Sequence, residues 1–128
     1  MLKGAVLYAK NLDNLVEFYL LIGGQKIDGV KAEFAVIANS GTELIIIQTP
    51  KEIAAQIVIE DPPMVRSETP LKPIFEVSSI ADVLKAVTKF GSRPAPGAKP
   101  WAFRQYLVQD IIDPEGNVIQ LWQTATAQ

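Results

Sequence analysis

Leu7-Tyr8-Ala9-Lys10-Asn11-Leu12-Asp13-Asn14-Leu15-Val16-Glu17-Phe18-Tyr19-Leu20-Leu21-Ile22-Gly23 and Phe75-Glu76-Val77-Ser78-Ser79-Ile80-Ala81-Asp82-Val83-Leu84-Lys85-Ala86-Val87-Thr88-Lys89-Phe90-Gly91 carry one pattern twice, 68 positions apart. Asn11 and Ser79 are good helix N-caps, because a short polar side chain can accept from a free backbone N–H of the first turn. Leu12, Leu15, Val16, Tyr19 and Ile22 lie over Ile80, Val83, Leu84, Val87 and Phe90. Their spacing puts one apolar stripe on each helix. Gly23 and Gly91 follow as helix stops, and Ser79 with Asp82 fits a capping box. Helices are predicted over Leu12–Ile22 and Ile80–Phe90.

Farther along, the halves match at an offset of 75: Asn39-Ser40-Gly41 lies over Pro114-Glu115-Gly116, and Glu43–Ile47 over Val118–Trp122. The second copy therefore holds about seven extra residues, placed in the Pro/Gly-rich run Arg93–Pro100. Each half reads as strand, helix, three strands. The first has Gly4–Ala9, Leu12–Ile22, Gln25–Val30, Glu33–Ala38 and Glu43–Gln48. The second has Pro73–Val77, Ile80–Phe90, a short strand near Arg93, Arg104–Ile112 and Asn117–Gln123. Periodicity leaves Lys51–Ile59 open between helix and strand, and Asp61-Pro62-Pro63 breaks it.

Alternation assigns two sheet faces. Ala5, Leu7, Ala9, Leu44, Ile46, Phe75, Val77, Ile119 and Leu121 form an apolar face for the helices. Gly4, Val6, Tyr8, Glu43, Ile45, Ile47, Lys72, Ile74, Glu76, Val118, Gln120 and Trp122 form a mixed face. Apolar walls with a few polar groups suit a ligand cavity.

The chain has 128 residues, 48% apolar, with 12 basic and 14 acidic side chains. That suits one folded domain, and the slight acidity argues against a nucleic-acid partner. Cysteine and histidine are absent. Thiolate chemistry, disulfides and the usual imidazole base are therefore excluded, and a metal would need oxygen ligands. No targeting segment or bilayer-spanning run is read from the sequence, so no membrane partner and cytoplasmic residence are expected.

Trp101-Ala102-Phe103-Arg104-Gln105-Tyr106, then Asp113-Pro114-Glu115-Gly116-Asn117-Val118-Ile119-Gln120-Leu121-Trp122, resembles the closing pattern of the vicinal oxygen chelate superfamily, the glyoxalase, bleomycin-resistance and extradiol-dioxygenase group. Asn11-Leu12-Asp13 ahead of Glu17-Phe18-Tyr19 is similar to its opening. The resemblance implies an α+β fold over residues 1–128. Two βαβββ repeats, roughly 3–48 and 71–124 with linker 49–70, form a curved, half-open mixed barrel with helices on the convex face. It also implies a homodimer, which fits exposed sheet edges.

Enzymes of that superfamily hold a divalent metal on the concave sheet, and the resemblance places its ligand positions at Gly4, Ile45, Lys72 and Gln120. Glycine and isoleucine offer no ligand, lysine repels a cation, and one amide is too few for a hard ion. The expectation is therefore no metal and no cofactor. Tyr8, Lys72, Glu76, Trp101, Arg104, Gln120 and Trp122 are the candidate ligand-binding residues. Lys72 would meet an anion or pair with Glu76 or Glu43. A buried Glu76, facing Tyr8 across the cavity, would be the proton acceptor of any catalysis. Trp101 and Trp122 would stack on a flat ligand, and Arg104 would grip a carboxylate or phosphate. The Pro94–Pro100 loop ahead of Trp101 would act as a lid. Asp113 and Glu115 are expected to fix their turn. The leading reading is a metal-free glyoxalase/bleomycin-resistance-like binder of a small organic molecule. A lactoylglutathione-lyase-like isomerase and a regulatory or scaffold partner are the alternatives, and whether the protein is an enzyme stays open.

Overall fold

A computed structural model of the protein describes residues 2–39, 41–66, 68 and 70–125. The first half contributes β1 (Gly4–Ala9), α1 (Leu12–Leu21), β2 (Gln25–Val30), β3 (Phe34–Asn39) and β4 (Thr42–Gln48). A single helical turn, α2 (Lys51–Ala54), opens the linker. The second half contributes β5 (Ile74–Glu76), α3 (Ile80–Ala86), β6 (Trp101–Phe103), β7 (Tyr106–Ile112) and β8 (Val118–Thr124). The strands make two four-stranded mixed sheets, β1-β4-β3-β2 and β5-β8-β7-β6, with no closed barrel. In each, the first strand of the half lies parallel to the last and the other pairs are antiparallel.

The predicted caps are in place. Asn11 accepts from the Asn14 amide at 3.2 Å and Ser79 from the Asp82 amide at 3.1 Å. The last strand of each half adds a second cap: Gln48 Oε1 accepts from the Leu12 amide at 3.0 Å, and Gln123 Oε1 from the Ile80 amide at 2.7 Å. Four amides of a helix's first turn lack internal partners, and these glutamines satisfy one in each helix.

Three expectations are corrected and one open segment is settled. The second helix does not run unbroken to Phe90; it leaves α geometry after Ala86 and ends in a 3-10 turn over Thr88–Phe90. There the β-branched Val87-Thr88 pair fits a helix poorly, and the Thr88 hydroxyl donates to the Lys85 carbonyl. No strand forms near Arg93. Pro94 makes one isolated bridge to Ile111, and a proline-rich run cannot supply a row of ladder amides. The outer strand is Trp101–Phe103 instead, and Arg104 lies in the tight hairpin that follows, at φ +56°. Lys51–Ile59 is neither a full helix nor a strand: one turn ends at Ala54, where the Lys10 ammonium caps the carbonyls of Ala54 and Ile57. In the expected Asn39-Ser40-Gly41 turn, Ser40 lies outside the described residues, and Gly41 takes φ +86°.

One continuous core draws on both halves, with Leu15, Phe18, Tyr19, Ile37 and Ile46 packed with Phe75, Val87, Ile111, Ile119 and Leu121. The sheet faces follow the predicted alternation with two exceptions: Ala5, at the junction of the halves, is exposed, and Val118, expected on the mixed face, is buried. Aromatic contacts join the halves: Tyr19 stacks on Phe75 at 5.2 Å, and Phe18 meets Phe90 edge-on at 5.7 Å. The linker returns across the second half, where the Arg66 amide donates to the Gly116 carbonyl at 2.9 Å. Gly116 has φ +84°, and a Cβ there would collide with the Met64 carbonyl, so only glycine fits. No described helix is long and apolar enough to cross a membrane.

Candidate functional site

The open face of the second sheet gathers most of the candidate residues. Glu76 stands opposite Trp122, and Ile74 opposite Gln120, which in turn stands opposite Asp110. Lys72, just before β5, reaches over β8 to the Asp110 carboxylate at 2.7 Å. It pairs with neither Glu76 nor Glu43, the partners expected from sequence. A residue four places along a strand lies about 13 Å away, whereas Asp110 is reached sideways across one strand. The other Asp110 oxygen is buried without a hydrogen-bond partner among the described residues. Trp122 Nε1 donates to Gln120 Oε1 at 2.9 Å. Tyr106 lies 4.8 Å and Phe103 5.7 Å from the Trp122 ring, and Trp101 lies 5.6 Å from Phe103. These four aromatics form one wall.

The remaining candidates are scattered. Glu76 is exposed and not, as expected, buried. Tyr8 is 62% exposed on the first sheet, opposite Ile47. Arg104 is exposed at the hairpin tip rather than on a strand. Asp110, Phe103 and Tyr106 were missed by the sequence reading. Counting alternate positions back from Ile112 would have placed Asp110 on the face of Gln120. Phe103 and Tyr106 are not legible because a strand that starts at Arg104 leaves out the Trp101–Phe103 strand and the hairpin that brings the two rings to Trp122.

A cleft of about 400 Å³ opens between the halves, where β1, β4 and β5 begin. Gly4, Glu43, Leu71, Lys72 and Ile74 are among its walls, so it joins two positions that the resemblance marked, Gly4 and Lys72. A second hollow of about 270 Å³ lies beside it under the linker, and Leu71 and Pro73 border both.

The residues do not fit a divalent metal. A Cβ at Gly4 would collide with the Glu43 carbonyl, so no ligating side chain can stand there. Ile45 has no donor atom. The Lys72 ammonium brings a positive charge of its own and takes up an Asp110 oxygen. Gln120 Oε1 is occupied by Trp122. Among the described residues no three carboxylate, imidazole or thiolate groups come together to hold an ion.

Asp113 and Glu115 hold the structure together, as the turn suggested. Asp113 is fully buried and accepts from Tyr19 Oη at 2.7 Å, Asn117 Nδ2 at 2.8 Å, and the amides of Glu115 and Asn117 at 2.8 and 2.9 Å. Burial holds its carboxyl above the usual range, against the pull of these bonds. Burial, then the Asp113 charge, pushes the Tyr19 hydroxyl well up. Glu115 crosses to the other half, accepting from the amides of Lys10 and Asn11 at 2.9 and 2.8 Å.

No protein-family model and no curated protein sequence matches the chain. Solved structures do. A glyoxalase family protein from Bacillus cereus superposes with a TM-score of 0.71 at 18% identity, over 98% of this chain and 94% of that one. The fosfomycin resistance protein FosX from Listeria monocytogenes gives 0.65 at 13%, over 96% and 92%. A bleomycin-binding protein complexed with bleomycin gives 0.57 at 13%, over 97% and 98%. At these identities the likeness is one of fold. The protein has the paired βαβββ fold that is also seen in these glyoxalase-family, fosfomycin-resistance and bleomycin-binding proteins.

Proposed function

We propose that the protein binds a small organic molecule without a metal, in the manner of a glyoxalase/bleomycin-resistance-like sequestering protein. The carrying observation is the site itself: a cleft adjoins the open second sheet, and the four expected ligand positions cannot serve a cation. The cleft's volume falls within the range of about 300–1,000 Å³ typical of ligand pockets. Its being open favours a small molecule over a scaffold role. Of the candidate residues Lys72 lines the cleft itself; Gln120, Trp122 and Trp101 would extend the site along the adjoining face of the second sheet, and Glu76, Tyr8 and Arg104, all exposed, would meet only a ligand that reaches beyond the cleft. The bleomycin complex of a protein with this fold supports a binding role.

The protein works as a cytoplasmic homodimer in this reading. Strands β1 and β5 each pair on one side only, and Val6, Tyr8 and Ile74 leave half or more of their surface in water. Such edges and apolar patches favour a second copy. Native mass spectrometry with elemental analysis tests the proposal: a dimer without stoichiometric metal is expected, and nickel, zinc, manganese or iron surviving dialysis would overturn it. A hemithioacetal isomerisation assay with added nickel or zinc should give no turnover; robust turnover would replace this reading with a lactoylglutathione-lyase-like isomerase.

A further inference from the structure

Two charged side chains line the cleft, Glu43 from β4 and Lys72 ahead of β5. Their electrostatic situations are opposite. Lys72 is neutralised by Asp110 at 2.7 Å, the only ion pair among the described residues. Glu43 is half-buried, and its carboxylate has no ion pair or side-chain hydrogen bond among them. Its neighbours in register are Gly4 and Ala38, which carry no charge. Lys3, next to Gly4, is exposed and does not pair with it. The same cleft is lined by apolar side chains left in water: Leu2 at 90% exposure, Leu71 at 87% and Ile74 at 51%. An occupant that covers them gains apolar burial. It also dehydrates Glu43, which is unfavourable unless a positive charge arrives with it.

We propose that this cleft selects compact apolar molecules bearing one positive charge, with Glu43 as the specificity-determining residue and Asp110 as the group that silences Lys72. The proposal rests on the small-molecule reading above and names the ligand class. An anion of the same shape meets an unpaired carboxylate and an ammonium already occupied.

Calorimetric titration with 1-adamantylamine and 1-adamantanecarboxylate tests this, since the two share one apolar body and carry opposite charges. The amine should bind about fivefold tighter. Glu43→Gln should erase that preference, and Asp110→Asn should free Lys72 and improve the carboxylate. If Glu43→Gln does not fold, 0.5 M sodium chloride on the native protein serves instead, because screening should shrink the amine's advantage. Carboxylate binding equal to or tighter than amine binding, or a preference that survives both Glu43→Gln and salt, overturns the charge selection and leaves the binding reading standing. No binding of either compound overturns both.

Discussion

The two halves of the molecule are built alike where they fold and differently where they meet a ligand. Both cap their helix twice, with Asn11 and Gln48 in one and Ser79 and Gln123 in the other. Both present an apolar stripe to one shared core. Their open faces diverge. The first shows Gly4, Val6, Tyr8 and Ile45, with the acidic Glu43 and Asp28 as charged groups; the second carries Lys72, Glu76, Asp110, Gln120 and the aromatic wall. The final turns diverge as well. Asp113–Asn117 closes over a buried carboxylate, whereas its counterpart near Asn39 is a surface hairpin. The lesson is that a repeat repeats the requirements of its backbone, while charge and aromatic content are free to differ between copies.

The turns give the largest test of that comparison. Asp113→Ala strips the acceptor from four donors and should cost about 3–5 kcal/mol in urea unfolding, the range for breaking a buried charged network. Asn39→Ala removes one long bond, to the Gly23 carbonyl at 3.4 Å, and should cost less than about 1 kcal/mol. Similar losses at both sites would erase the distinction.

The paired glutamines come next. Gln48 also donates to the carbonyls of Ala9, Lys10 and Thr49, at 3.1, 2.7 and 3.2 Å. Gln48→Ala should therefore cost about 2 kcal/mol and Gln123→Ala about 1, because more buried carbonyls lose a donor in the first. The reverse order would mean that the second helix depends more on its cap.

The pH dependence sharpens the contrast further. Burial raises the Asp113 pKa in the folded state above its unfolded value, so folding takes up protons in the window between the two. The contribution of Asp113 to stability then rises as pH falls through the folded value towards the unfolded one, and declines as pH rises. Asp113→Asn should lack this rise when unfolding is followed from neutral to mildly acid pH. Identical pH profiles for the two proteins would show that the hydrogen bonds cancel the effect of burial. The smallest effect belongs to the surface: Lys72→Met should change stability by less than about 1 kcal/mol, since its ammonium sits in a partly exposed pair. A loss as large as that of Asp113→Ala would make Lys72 structural and remove it from the site.

The sequence by itself determined both helix starts, the succession of strand, helix and three strands in the first half, most of the face assignments in each sheet and the structural use of Asp113 and Glu115. These depend on spacing and capping, which act within a few residues. It also determined that Gly4, Ile45, Lys72 and Gln120 are poor ligands for a metal, since that follows from side-chain chemistry alone. Only the tertiary structure decided which partner Lys72 takes, because Asp110 is 38 positions away and is brought close by the β7–β8 register. It decided that Trp101–Phe103 forms the outer strand, because the proline-rich run before it lacks the amides a ladder needs. It also decided that Glu76 stays in water and that Glu43 borders the cleft with no side-chain partner among the described residues. Burial and ion pairing depend on segments distant in the chain, and local pattern does not carry that information.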